Sequence, residues 1–445
     1  MMSRLLFLAA HQAVNRKFHG CYRRLQEQQW LSAEEHREQQ EADLRQAIAY
    51  AGQQIPYYRR LFAEYGLQPG DINRLADLAR LPVLDRATVR SQAEAFRPAN
   101  LAAMKYHTFA TGGSTGTPLA YNLSADDRML SGALLYRGWG YGGYQLADRM
   151  VFIGGASLDI GSSSWLQTRI QETVRSIRKL SSFDMGDAEM ERYVQVINRF
   201  RPKFFRGYAT SIYFFARWCR ERGERMHQPE AVFTTAEKLY PEMRELIAGT
   251  WECEVYDTYG MNDGGASAYE CPCHQGLHID TERAVLEIVD DQGRPVSSGE
   301  GRVIVTSLHN RAMPFIRYDT GDRAVATERT CACGRSYRLL QEVVGRSVDM
   351  LFTPEGKMVH GWYFLYLFWR YPRGVRQYQV IQEELDRIVI EIVPDPDFDP
   401  GQFEAIRKLV KQRSEGWRLE FRLVERIERS AAGKYKFIVN RLLSP

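Results

Sequence analysis

Eight consecutive residues, Thr111-Gly112-Gly113-Ser114-Thr115-Gly116-Thr117-Pro118, gather three glycines and four hydroxyl side chains. Glycine lets a main chain approach a large anion and adopt positive φ. The N–H and hydroxyl groups of such a stretch can then point at phosphate oxygens. A mobile phosphate-gripping loop is one reading; a Gly/Thr-rich surface turn is the other. A Walker-type P-loop is excluded, because Thr117-Pro118 stand where Lys and Ser/Thr are required, and no other stretch supplies that pattern. The second chemically distinctive set is sulfur. Of seven cysteines, four form two Cys-x-Cys pairs, Cys271/Cys273 and Cys331/Cys333. In a large intracellular chain, clustered cysteines point to metal more than to disulfides.

These residues need elements to position them. Pro118 closes the glycine-rich stretch, and Leu119 to Leu123 alternates like a strand. Upstream, Ser32-Ala33-Glu34-Glu35 is a capping box, so a helix should follow with Leu44, Ala47, Ile48 and Ala51 on one face and stop before Ile55-Pro56. Leu81-Pro82-Val83-Leu84-Asp85 reads as extended. Downstream, strands at 150–153, 232–235 and 253–256 alternate with helices at 128–136, 188–200, 211–221 and 241–248, which predicts an α/β layered fold. From Leu277 the pattern becomes antiparallel: strands at 284–289 and 301–306 flank the turn Asp290-Asp291-Gln292-Gly293. The C-terminal segment predicts a small α+β unit, with strands at 377–382, 387–393 and 419–424 and a helix at 403–411. The expected organisation is a large N-terminal domain, residues 1–345, with an antiparallel β subregion, and a small mobile C-terminal domain, residues 346–445.

The totals bound the function. A chain of 445 residues, 44% hydrophobic and 26% charged, has the profile of a globular protein with room for a large core. The net charge of +4 does not imply a nucleic-acid partner. The apolar run Leu5 to Ala10 is too short to span a bilayer and reads as one face of a packed helix. No other stretch approaches membrane-span length, and the cytoplasm is the expected compartment.

The glycine-rich stretch, Tyr259-Gly260-Met261-Asn262-Asp263, Arg317-Tyr318-Asp319-Thr320-Gly321-Asp322, Gly345-Arg346 and Gly433-Lys434 occur in that order. This succession resembles the adenylate-forming ligases, the superfamily of acyl-CoA synthetases, luciferases and peptide-synthetase adenylation domains. Within it the chain is most similar to the phenylacetate–CoA ligase branch and its CapK-like relatives in capsule and polysaccharide clusters. Pro56-Tyr57-Tyr58-Arg59-Arg60-Leu61, Leu81 to Asp85, Gly276-Leu277-His278-Ile279 and Val375 to Gln382 fit that branch. The likeness runs from about Gln39 to Leu443.

The resemblance implies an enzyme that joins a carboxylic acid to AMP, releases pyrophosphate, and passes the acyl group to a thiol such as coenzyme A. An amine, a sugar or a carrier-protein thiol is the alternative acceptor, and a non-catalytic nucleotide-binding relative the alternative class. By the same resemblance Thr111, Gly112, Gly113, Ser114, Thr115 and Gly116 would hold the ATP phosphates. Tyr259 with Gly260 would meet adenine, Ala236-Glu237 would line the nucleotide pocket, and Asp322 and Arg346 would take the ribose. Asp263 stands where the family usually has the Glu that holds Mg²⁺, one methylene shorter. Lys434 would neutralise charge on the α-phosphate and carboxylate. Gly207 and Tyr208 would line the acyl pocket, with Phe204 and Phe205 nearby. Thr117 replaces a common lysine, and Val348, followed by Asp349, occupies a hinge position that is commonly Asp or Lys. Cys271, His278, Cys331 and Cys333 match a structural zinc site seen in this branch, with Cys273 and His274 as spare ligands. The acid and the oligomeric state, homodimer included, stay open.

Overall fold

A computed structural model of the chain describes residues 2–110, 119–154, 172–182, 185–346, 350–355, 358–360, 364, 374–429 and 435–442. These fall into two compact units, one ending at Val344 and one beginning at Gly345.

The first unit opens with helices. In the helix Met2–Val14, Phe7 is buried while Leu5 and Leu6 stay exposed, so the expected one-sided packing is present. Phe7 joins Phe18, Leu25, Tyr136 and Trp139 in one apolar cluster. The helix Ala33–Gln54 begins with the expected capping box, Ser32 and Glu35 each accepting from the other's backbone N–H, and it buries Leu44, Ala47, Ile48 and Ala51. Pro56 then starts a further helix, Pro56–Glu64, at the first turn, where its missing N–H costs nothing. Tyr58 reaches from this helix to the Pro314 carbonyl at 3.1 Å and accepts from Ile316 N at 2.8 Å.

Three sheets build the rest of this unit. Strands Tyr106–Ala110 and Ala120–Ser124 pair antiparallel on either side of the glycine-rich stretch. A five-stranded sheet runs in the order Ile177–Ser181, Met150–Gly154, Phe204–Tyr208, Ala231–Thr235, Glu254–Tyr256. Every neighbour is parallel. Met150–Gly154 is buried along its whole length, as expected for a parallel strand covered on both faces. The helices Asp187–Phe200, Ala209–Arg222 and Pro241–Trp251 make the connections.

The third sheet has seven strands in the order Ala284–Val289, Gly299–Ser307, Tyr318–Thr327, Leu339–Arg346, Leu277–Ile279, Ser267–Glu270, Thr258–Gly260. The expected hairpin is there. Asp290 Oδ1 accepts from Gln292 N and Arg294 N, and Gly293 takes φ +80. Alternate residues of this sheet, among them Val285, Val303, Val305 and Tyr318, share a core with Leu44, Ile48 and Tyr58 of the N-terminal helices.

The second unit is α+β. Its four-stranded sheet runs Arg418–Leu423, Arg387–Pro394, Val375–Glu384, Ile438–Asn440, an antiparallel hairpin flanked on each side by a parallel strand. Helix Gln402–Lys411 buries Ile406 and Val410, and Trp417 donates its indole N–H to Phe352 O at 2.9 Å.

Candidate active site

Tyr259 sits on the edge strand Thr258–Gly260, in register with Ala268. The chain turns back through Asn262-Asp263-Gly264-Gly265, with Met261 N bonded to Ala266 O at 2.9 Å. Only glycine fits at 264, since a Cβ there would lie 2.1 Å from Val305 Cγ2. The turn is held from beneath by Arg283, which is paired with buried Asp127 at 2.7 Å and lies 3.5 Å from Met261 O. Asp263 is thereby presented beside Tyr318, whose hydroxyl is 3.4 Å from Asp263 Oδ2. Asp322 lies four residues along the same strand as Tyr318, after Gly321 at φ +75. The Tyr259 hydroxyl donates to Asp322 Oδ2 at 2.9 Å. Burial first, and then the Asp322 charge, hold the Tyr259 phenol well above its usual pKa, so it stays a donor. Three of the expected residues, Tyr259, Asp263 and Asp322, are therefore brought to one place on the antiparallel sheet.

The motif around them is locked by a second buried pair. Arg317, at φ +50, bonds Glu287 at 3.2 Å and the carbonyls of Leu81 and Gly293 at 2.7 and 2.9 Å. Leu84 forms a parallel bridge with Tyr318, so the extended Leu81-to-Asp85 stretch is part of the same support.

At the carboxyl ends of the parallel strands, where open α/β sheets take ligands, lie Tyr208 and Ala236-Glu237. Ala236 has φ +66, a conformation that side chains other than glycine rarely adopt. The Glu237 carboxylate accepts from Thr210 N at 3.0 Å and Thr210 Oγ1 at 2.6 Å, which ties two strand ends together. At Gly207 a Cβ would meet Ile153 O at 2.4 Å. Phe204 and Phe205 are core: the first packs on Tyr144 and Phe233, the second on Trp251. Thr111 to Gly116, Thr117, Lys434, Val348 and Asp349 lie outside the described residues. For Arg346 only the backbone, at the end of strand Leu339–Arg346, is described.

The sulfur cluster assembles as the resemblance implied. One ligand atom each from Cys271, His278, Cys331 and Cys333 lies within 4.8 Å of all the others. Cys271 Sγ and Cys331 Sγ are 3.5 Å apart, as are Cys333 Sγ and His278 Nε2. His278 is fully buried and its Nδ1 has no partner among the described residues. Burial, with Arg335 and Arg137 nearby, pushes its pKa down to about 4, which leaves the neutral imidazole that ligates metals. Three thiols and one imidazole at this spacing fit a closed tetrahedral ion. The spare candidates stand apart: Cys273 is exposed, and His274 lies 3.0 Å from both Glu254 and Glu270.

Comparison with known proteins adds the following. Residues 351–441 match the CapK C-terminal domain family. Phenylacetate-coenzyme A ligase of Thermus thermophilus is 27% identical over 83% of this chain and 84% of its own length. Protein CapK of Staphylococcus aureus is 23% identical over 88% and 86% respectively. This chain is a homologue of the phenylacetate–CoA ligases and of CapK. A crystal structure of 2-hydroxyisobutyryl-CoA ligase in complex with R3-HIB-AMP superposes with a TM-score of 0.73 at 20% identity, covering 93% of this chain and 91% of that one. The fold is thus that of an acyl-CoA ligase.

In this phenylacetate–CoA ligase homologue, several charged residues escaped the sequence reading. Arg137, on helix Ala125–Tyr141, has a fully buried side chain paired with Asp280 and Glu282, and Tyr337 donates to Glu282 at 2.5 Å. Burial raises the Asp280 pKa to about 7 against the opposing pull of Arg137. This group ties the helix to the strand that carries His278. A signal did exist for Glu287 and Arg206, each a lone charge inside an apolar strand sequence, but nothing in the sequence names a partner.

Proposed function

We propose that the chain activates a carboxylic acid as its acyl-adenylate and then transfers the acyl group to coenzyme A. The observation that carries this reading is the meeting of Tyr259, Asp322 and Asp263 on one sheet, in a chain related over 83% of its length to a phenylacetate-coenzyme A ligase. A carboxylate oxygen would attack the α-phosphorus of ATP as the bond to pyrophosphate breaks. A thiol sulfur, giving up its proton, would then attack the carbonyl carbon as AMP leaves. Asp322 offers paired acceptors to the ribose hydroxyls. Its bond to Tyr259 holds that ring for adenine, at the strand ends lined by Ala236 and Glu237. Asp263 would bind Mg²⁺, whose charge offsets that of the phosphates.

Thr111 to Gly116 would grip those phosphates, Arg346 would add a ribose contact, and Lys434 would supply positive charge at the reacting centre. In this reading residues 1–345 form the adenylation domain and 346–445 a lid. Cys271, His278, Cys331 and Cys333 would hold a structural zinc. No described helix is long and apolar enough to cross a membrane, and we place the activity in the cytoplasm.

The match to the CapK C-terminal domain favours a second reading of the acceptor alone, as an amine, a sugar or a carrier-protein thiol. Pyrophosphate release against a panel of aryl, acyl and amino acids, each with and without coenzyme A, tests both readings. Acid-stimulated release is expected, and none with any acid would refute the activity. Acid-stimulated pyrophosphate release with no release of AMP on adding coenzyme A would favour the second acceptor class. Lys434→Ala should lower pyrophosphate exchange by about 10²- to 10³-fold. Full exchange by that variant would remove Lys434 from the mechanism.

A further inference from the structure

Arg206 lies on strand Phe204–Tyr208, directly before Gly207 and Tyr208 and beside Phe152 of the neighbouring strand. Its guanidinium carbon is 4.9 Å from the Trp139 ring centroid and 4.9 Å from that of Phe152. The ionisable groups that act on it are the phenols of Tyr269, Tyr208 and Tyr136 and, among the described residues, no carboxylate. Its buried Nε has no acceptor among the described residues. Trp139 is only 2% exposed, and its indole N–H also lacks an acceptor there. Two N–H donors, one of them on a half-buried cation at mid-strand, thus lie near each other with no acceptor among the described residues.

A cation held partly out of water without a counter-charge is unfavourable. Contact with two rings offsets part of that and leaves the buried donors unanswered. An anion entering beside them would supply both the charge and the acceptors.

We propose that Arg206 and the Trp139 indole N–H form a receptor for a second anionic group on the acyl substrate. On this view the preferred acids carry, besides the carboxylate that is activated, a distal carboxylate held by the Arg206 guanidinium where it lies against the Trp139 and Phe152 rings. A bidentate guanidinium suits that planar anion. The proposal rests on the adenylation reading and assigns its substrate class.

The test uses the full chain and matched pairs of acids, each a dicarboxylate and its uncharged isostere, in pyrophosphate release. The wild type should prefer the dicarboxylate of some chain length, with a KM about 10- to 100-fold lower, the worth of a charge-assisted hydrogen bond. Arg206→Met should erase that preference while turnover of the neutral acid persists. Arg206→Lys should restore part of it. A wild type with no preference across the panel overturns the proposal, as does an Arg206→Met variant that loses both acids equally, the result expected if Arg206 met the reacting carboxylate. Should no acid support turnover, adenylation itself fails. Calorimetry of dicarboxylate binding to the wild type and to Arg206→Met then still judges the receptor. Binding lost in the variant supports it, and equal binding or none to either overturns it. If Arg206→Met does not fold, the wild-type preference alone decides.

Discussion

Arg137 and Arg206 both lie at helix Ala125–Tyr141, the first buried and the second half-buried, and they are solved in opposite ways. Arg137 belongs to the helix and meets Asp280 and Glu282, with the Tyr337 ring 4.9 Å away. Arg206 lies against the ring of Trp139 on the same helix and, among the described residues, meets only aromatic ones. Where the chain supplies the counter-charges, the residue is architecture: it joins the helix to the antiparallel sheet. Where the described residues supply none, the cation is left for a partner from outside to complement. The thiol cluster is a third case, a set of donors complete in number and complementary only to a cation. Paired groups therefore report on the fold, and unpaired groups on what the fold is for.

Substitution at the answered arginine should have the largest effect on stability. Arg137→Met leaves two buried carboxylates uncompensated and is expected to cost about 3–5 kcal/mol, read as a shift in the urea midpoint. A loss below about 1 kcal/mol would mean that the group does not hold the helix to the sheet. Arg206→Met is the contrast, and should change that midpoint by less than about 1 kcal/mol or raise it, because it removes an uncompensated charge. Comparable losses at the two positions would dissolve the distinction.

The thiol cluster comes next. Cys331→Ser should leave well under one zinc per chain by metal analysis and lower the melting temperature by several degrees, with a ΔΔG of about 2 kcal/mol. Zinc below stoichiometry in chelator-washed wild type would remove the metal from the structure.

The smallest effect concerns a carboxylate set among its own kind. Burial, and then Glu270, raise the Asp257 pKa to about 6, and Thr234 Oγ1 donates to it at 3.0 Å. The unfolded value lies near 3.8. The folded state thus binds the extra proton between these values, and stability contributed by this group falls as pH rises through that window. Each pKa unit is worth about 1.4 kcal/mol. Partial solvent access reduces the total, so Asp257→Asn should be about 1–2 kcal/mol more stable than wild type at pH 8 and closer to it at pH 4. Equal pH slopes for the two proteins would show that Asp257 is not strained.

Much of the fold was legible because it is local. The Ser32–Glu35 box, the apolar face from Leu44 to Ala51 and the Asp290–Gly293 turn each follow from a few neighbouring residues. The two Cys-x-Cys pairs exposed three of the four ligands of the cluster, Cys271, Cys331 and Cys333, but their meeting with His278 is a matter of strand register. Pro56 read as the end of one helix, and it also begins the next, because proline is equally suited to both positions. At the site, the order of Tyr259, Asp263 and Asp322 was readable, whereas the bond between Tyr259 and Asp322 was not.

The sequence by itself determined the alternation of strands and helices, the antiparallel turn in the pattern after residue 277, and which residue types were available for nucleotide and metal. The tertiary structure alone decided which charges are answered. Arg137 and Glu282 meet across 145 positions, and Arg283 and Asp127 across 156. Such pairs depend on how a helix lies on a sheet and on strand register, which no window of neighbouring residues encodes. The same packing gave Arg206 two rings and, among the described residues, no acid.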